Sequence, residues 1–175
     1  MLSSVFACIY DDKTETIMNV TLREIDSKNV WEVLRLRVAE EQADFVATNT
    51  QSIVEAYTAI AEGGVALPFG IYDGDTPVGF LMIGYGSYEG APAVAEGNYT
   101  LWRLMIDRNQ QKKGYGTAAI RLALDYIRTF PCGPADACWL SYEPENEVAK
   151  ALYHRFGFVE NGEVEDGEIV AVRKL

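Results

Sequence analysis

Two glycines two positions apart, preceded by a glutamine and two lysines, lie in the run Gln111-Lys112-Lys113-Gly114-Tyr115-Gly116-Thr117. Glycines at this spacing let a backbone pass close to a ligand with no Cβ in the way. Where a helix begins, its first N–H groups have no acceptor within the helix, and the helix dipole favours negative charge at the same end. That combination suits a phosphate. One helix end contributes only about 0.3–1 kcal/mol toward a nearby anion, so several aligned N–H groups must share a multiply charged ligand. Lys112 and Lys113 add positive charge beside them.

Three readings of this run compete. A Walker loop requires G-x-x-x-x-G-K-S/T, and here the lysines precede the glycines, which excludes it. Gly114-Tyr115-Gly116-Thr117-Ala118-Ala119 fits the dinucleotide pattern G-x-G-x-x-A. That unit needs an acidic residue about 20 positions on, at the end of the next strand; Asp136 has the spacing but precedes that strand. A tight turn with no ligand is the bland alternative, and a third reading takes in Gln111 as well.

A second run with chemical potential is Asn146-Glu147-Val148-Ala149-Lys150-Ala151-Leu152-Tyr153-His154-Arg155-Phe156-Gly157-Phe158. On periodicity alone, Tyr153 lies four positions after Ala149 and beside the Val148-Leu152-Phe156 stripe, as a residue at the edge of a core would. Asn146 reads as a helix cap, which is compatible with a ligand contact.

Taken together, Gln111 to Gly116 and Asn146 to Phe158 resemble the two signatures of the GNAT family of N-acetyltransferases, Q/R-x-x-G-x-G/A and N-x-x-A-x-x-L-Y followed by G-F. The resemblance extends over about Met18 to Leu175. It implies an α/β, acyl-CoA N-acyltransferase fold with a mixed central sheet of about six to seven strands flanked by about four helices. It also implies acetyl-CoA as co-substrate and no metal. Gln111, Lys112, Lys113, Gly114, Gly116 and Thr117 would hold the pyrophosphate; backbone groups of Leu104 and Ile106 on a splayed strand would pair with the pantetheine arm, and a neighbouring N–H would meet the carbonyl oxygen. Asn146 would contact the arm and Tyr153 would act as general acid on the sulfur. Some amine acetyltransferases of the family carry a glutamate on the strand corresponding to Tyr99-Thr100-Leu101-Trp102-Arg103-Leu104-Met105-Ile106, which here has no carboxylate. A general base contributes about 10²–10⁴-fold, so a proton route through water to Glu40, Glu41, Asp44 or Glu143 is the expected substitute.

Glu40 to Ala47, Leu101 to Asp107 and Leu140 to Asn146 narrow the resemblance to the bacterial diamine and spermine/spermidine branch. A polyamine is a chain of ammonium groups, which carboxylates and aromatic faces bind together, each cation–π contact giving about 0.5–2 kcal/mol. Glu40, Glu41, Asp44, Phe45, Trp102 and Glu143 are the expected substrate residues, with Trp31 and Tyr142 as further aromatic supply. An amino acid, an aminoglycoside-like drug or a protein terminus is an alternative acceptor. A non-catalytic acyl-CoA-binding module is an alternative to catalysis.

The totals agree with a small cationic partner. Net charge is −11, from 15 basic and 26 acidic side chains, which repels a nucleic-acid backbone and attracts cations. With 175 residues, 49% of them apolar, the chain suits one domain, and no apolar run approaches the roughly 18 residues of a membrane span. Cys8, Cys132 and Cys138 show no ligand spacing, and His154 is the sole histidine, so a zinc site is not expected and reduced thiols in a cytoplasmic protein fit best. The resemblance leaves room for a homodimer.

The elements that must position these residues follow from pattern. Residues 1–17 read as an extension, mildly apolar but without a basic signal-peptide start, and Met18 is a candidate alternative start for a domain over 18–175. Strands are expected at 19–25, 67–72, 77–85, 99–106, 137–142 and 168–173, and helices at 30–38, 50–61, 118–128 and after Asn146. Residues 86–97 read as a surface loop that could border the substrate.

Overall fold

A computed structural model of the chain describes residues 18–175 throughout and, upstream, the backbone at 5–6, 9–10 and 17. The expected extension over 1–17, with Cys8, therefore lies largely outside the described residues. Strands β1 (Val5–Phe6), β2 (Ile9–Tyr10) and β3 (Ile17–Met18) precede β4 (Val20–Glu24), α1 (Val30–Val33), α2 (Asn49–Ala61), β5 (Val65–Asp73) and β6 (Thr76–Tyr85). Then come β7 (Tyr99–Ile106), α3 (Tyr115–Ile127), β8 (Ala137–Tyr142), α4 (Glu147–Arg155), β9 (Val159–Glu165) and β10 (Glu168–Lys174). The main sheet has the order β1-β4-β5-β6-β7-β8-β10-β9. Strands β4 to β10 are the seven of the expected mixed sheet, and the two-residue β1 adds an eighth at its edge.

Both faces of the sheet are covered, as its long apolar strands require. On one side α3 and α4 pack Ile120, Leu124, Ile127 and Tyr153 against Leu22, Ile71, Ile83 and Leu140. On the other, Val33 of α1 and Ala56 of α2 meet Phe80, Met82 and Met105. Each large aliphatic side chain fully buried this way contributes about 1.5–3 kcal/mol. Small residues on α3, Ala118, Ala119 and Ala123, let that helix lie close to the strands.

Three boundaries differ from the pattern reading. Helix α1 ends at Val33 rather than residue 38, because tertiary bonds take the backbone of Arg37: its N–H donates to Asp107 Oδ2 at 3.0 Å, and its carbonyl accepts from Arg108 N–H at 2.8 Å. Helix α3 begins at Tyr115, because Gly114 at φ 89° turns the chain directly into it. Val159 leads not into a plain connection but into β9, which forms a hairpin with β10.

Sheet pairing is interrupted where it matters most. Parallel strands β7 and β8 pair only at Tyr99↔Cys138 and Thr100↔Trp139, so they diverge beyond Thr100. On its other side β7 stays paired with β6, with Met82 opposite Arg103 but Ile83 opposite Leu101. Trp102 is thus the extra residue of a β-bulge, which bends the strand and sharpens its twist.

Candidate active site

The divergence of β7 from β8 opens a groove of about 970 Å³. Its floor is Leu101 to Ile106, and its sides come from residues 42–47, the turn into α3, and α4. Asp107 donates its N–H to Val78 of β6 at 2.9 Å, and Ile106 stands opposite Gly79. Backbone groups alternate in direction along a strand, so the N–H and C=O of Ile106 and Leu104 face away from β6 into the gap. These are the two residues expected to pair with an extended ligand.

At one end of the groove stands the start of α3. Gly114 adopts a left-handed conformation and no side chain caps the helix, so its first N–H groups are available to a ligand. Tyr115 anchors this end by donating its hydroxyl to Asp73 Oδ2 at 2.6 Å, and burial with that carboxylate pushes its pKa up to about 12. Gln111 has a structural task as well. Its Nε2 donates to Gln42 Oε1 at 2.7 Å and to the Ile106 carbonyl at 3.1 Å, tying the turn to both sides of the groove. Gly114, Gly116, Thr117 and Lys112 line the groove. Lys113 does not line it; its Nζ donates to Asn109 O and Gln110 Oε1 within the turn. Arg155, which pattern reading passed over, joins Lys112 as a lining cation.

At the other end α4 supplies Asn146 and Tyr153. The Asn146 side chain caps α4 by accepting the Ala149 N–H at 3.0 Å while remaining on the groove wall. Tyr153 is buried at 9% exposure, with Tyr142 and Phe158 rings 5.9 and 6.0 Å away, and it too lines the groove. Burial, with the Glu168 charge adding to it, raises the phenol pKa, so the hydroxyl keeps its proton at neutral pH.

A second cavity, of about 540 Å³, lies on the same side of the sheet as α2. Trp102 and Ser141 line both cavities, so the two meet where β7 and β8 part. The second cavity takes its walls from Glu55 of α2, Glu62 just past the end of that helix, Tyr85 at the end of β6 and Gly86 to Glu89 beyond it, Trp139 of β8, and Glu165 of β9. Four carboxylates therefore face one space, and one of them, Glu55, is paired with Arg103 at 2.9 Å. Part of the loop expected to border the substrate, Gly86 to Glu89, does border this cavity.

The other substrate candidates are distributed differently. Trp102 sits at the junction, and Asp44 and Phe45 line the first groove rather than the second cavity. Glu40, Glu41 and Glu143 line neither. Glu55, Glu62 and Glu165 are not singled out by sequence reading, and Glu89 only as part of the loop that could border the substrate, because their convergence depends on the tertiary fold. Among the described residues no cluster of three His, Cys, Asp or Glu is placed to hold a metal, and no helix is long and apolar enough to cross a membrane. Cys132 and Cys138 are free thiols.

Comparison with known proteins places this architecture. Residues 30–158 match the model of the acetyltransferase (GNAT) family. The chain is 28% identical over 161 residues to the spermine/spermidine N(1)-acetyltransferase of Bacillus subtilis, covering 90% of this chain and 100% of that protein. Among solved structures, aminoglycoside acetyltransferase AAC(6')-Ib in complex with coenzyme A superposes with a TM-score of 0.71 at 17% identity, covering 89% of this chain and 94% of that one. RimJ of Mycobacterium smegmatis in complex with CoA-disulfide superposes with a TM-score of 0.63 at 21% identity, covering 89% and 81%. The two solved structures share the fold. With the family model matched over well more than half of its length, the chain belongs to the GNAT family and is an N-acetyltransferase.

Proposed function

We propose that the protein transfers an acetyl group directly from acetyl-CoA to a primary amine of a polyamine such as spermidine, spermine or a diamine. The observation that carries this reading is the junction of two unlike cavities at Trp102 and Ser141. One offers an anion-binding helix start and strand backbone that no neighbouring strand pairs; the other offers carboxylates and aromatic rings, the combination a flexible polycation requires.

The residues present fit an acyl-CoA. The start of α3, with Gly114, Gly116, Thr117 and Lys112, suits a pyrophosphate, and the outward backbone of Leu104 and Ile106 suits the amide groups of a pantetheine arm. Gln111 and Lys113 act there by bracing the turn, and Asn146 borders the arm while capping α4. The bound co-substrate supplies an acetyl thioester at the junction. Tyr153, held protonated by burial, donates to the departing sulfur. The 28% identity to a curated spermine/spermidine acetyltransferase supports the acceptor class.

Release of free CoA thiol from acetyl-CoA with spermidine, spermine, putrescine and a control amino acid tests the reading. Saturable turnover with the polyamines alone is expected. Turnover with the amino acid and none with the polyamines would refute the acceptor class.

A further inference from the structure

Amine acetylation has an unassigned step in this protein. A polyamine arrives as ammonium groups, and a nitrogen can attack only after losing a proton. The strand beneath the acyl site carries Trp102 and no carboxylate, Glu40, Glu41 and Glu143 lie outside both cavities, and Asp44 lines the groove but not the cavity that holds the other carboxylates. Resting on the acetyltransferase reading above, we propose that Glu165, at the end of β9, is the group that accepts this proton and holds the reacting amine at the junction of the two cavities.

The placement is geometric. Glu165 lines the second cavity and pairs across the β9–β10 hairpin with Glu168, which lines the groove together with Tyr153. Side chains directly opposite in an antiparallel pair have Cβ atoms about 4.5–5.5 Å apart, so the two carboxylates lie side by side, one toward each cavity. Ser141, which lines both cavities, donates its hydroxyl to Glu168 Oε2 at 2.5 Å and fixes that carboxylate.

The electrostatics of the hairpin suit the task. Burial, then the charges of Glu168 and Asp166, push the Glu165 carboxyl up to about 7, near the value that best serves a base at neutral pH. Glu55 faces it from α2, Glu62 from the end cap of that helix and Glu89 from the loop after β6, while the cation on β7, Arg103, is engaged by Glu55. The remaining acids serve to bind the other ammonium groups of the chain, and Tyr85 and Tyr88 offer ring faces.

The step balances as follows. The ammonium gives one proton to the Glu165 carboxylate, and the freed lone pair forms the nitrogen–carbon bond to the acetyl group. As the carbon–sulfur bond breaks, its electron pair leaves on sulfur and takes the Tyr153 proton. The acylated nitrogen loses its surplus proton, which returns to Tyr153 through solvent. Glu165 releases its own proton to solvent, so one proton is set free per turnover.

The test pairs the pH dependence of kcat/KM for spermidine with NMR titration of side-chain carboxyls in wild type and Glu165→Gln. In wild type an acid limb with midpoint near 7 is expected. In Glu165→Gln the rate falls about 10²–10⁴-fold, the limb moves up toward the ionisation of the amine itself, and acetyl-CoA affinity by calorimetry stays within threefold. Without acetyl-CoA, NMR is expected to show one carboxyl titrating near 7 that the substitution removes and that spermidine shifts downward. Glu62→Gln raises KM for spermidine and keeps the limb. A Glu165→Gln enzyme with kcat within threefold of wild type and an unchanged limb overturns the assignment, as does a carboxyl that ignores spermidine. If spermidine shifts the Glu165 titration but wild type releases no CoA thiol with any amine, the acetyltransfer reading fails, and the base role falls with it while amine binding stands.

Discussion

Alanine at Gly114 and alanine at Gly116 should have opposite effects on stability, although the two glycines share one motif. Gly114 sits at φ 89°, where an L-residue is strained, and its added Cβ would meet Met18 Cε at 3.2 Å. The left-handed conformation costs a non-glycine residue about 1–2 kcal/mol. For a domain of this size that lowers Tm by about 2–8 °C. Gly116 lies within the first turn of α3, and its Cβ would meet only Leu152 Cδ2 at 3.5 Å and Ile106 Cγ1 at 3.9 Å, ordinary contacts. Alanine there recovers up to about 1 kcal/mol of helix propensity, and Tm rises by up to about 4 °C. Ligand binding adds a second axis. Re-aiming the first N–H groups of α3 in Gly114→Ala forfeits about 0.6–2 kcal/mol of anion binding, which weakens acetyl-CoA by about 3- to 30-fold. Gly116→Ala keeps those N–H groups aimed but puts a Cβ where the turn is expected to approach the pyrophosphate, so it too weakens acetyl-CoA, without the loss of Tm. Scanning calorimetry without ligand and titration calorimetry with acetyl-CoA read the two axes separately. A Gly114→Ala protein with unchanged Tm and affinity, or a Gly116→Ala protein as destabilised as Gly114→Ala, would refute the argument that one position needs a conformation and the other only space.

Tyr153→Phe should lower kcat by about 10²–10⁴-fold while acetyl-CoA binding by calorimetry is retained; loss of binding would make the tyrosine a packing residue. Gln111→Ala removes two bonds bracing the groove, at about 0.5–1.5 kcal/mol each, and should raise KM for acetyl-CoA more than it lowers kcat in steady-state kinetics. The raised pKa of Glu165 also bears on stability. Its folded value, about 7, exceeds its ordinary 4.5, so the unfolded chain binds fewer protons between these values and stability falls as pH rises through that window. Glu165→Gln should therefore increase Tm at pH 8 and have little effect at pH 4.5, as measured by thermal melts at both.

What could be read from the chain was what is local in it. The turn from Gln111 to Thr117 and the α4 segment from Asn146 to Tyr153 carry their residues within single turns, and spacing alone brings them together. The strands of the β5–β6 hairpin and β7 announce themselves by apolar runs between Gly, Asp and Asn. Helix α1 was overextended because the hydrogen bonds that end it come from Asp107 and Arg108, some 70 positions away. Strand β9 was missed because Val159-Glu160-Asn161-Gly162-Glu163-Val164-Glu165 is mostly exposed and irregularly paired, so it lacks the alternation of a half-buried strand. The carboxylates of the second cavity come from α2 and its C-terminal cap, the loop after β6, and β9, and only the tertiary fold assembles them.

The parting of β7 from β8 also decides how distant changes are felt. Past Thr100 no strand pairing among the described residues joins β8, β10 and β9 to the rest of the sheet, and the body on that side is tied to the other by two residue pairs, by the core beneath α3 and α4, and by the loop after β6, where Ala93 donates its N–H to Glu163 Oε1 and Ala95 packs on Trp139 and Val170. A molecule lying along Leu104 and Ile106 would serve as the missing rung between the halves, and its grip would depend on how far apart they stand. Substitutions in the β9–β10 hairpin that alter that spacing will therefore register first as altered co-substrate affinity, before any fall in melting temperature. In such a molecule the ligand is a structural member of the sheet, and a binding isotherm doubles as a gauge of its geometry.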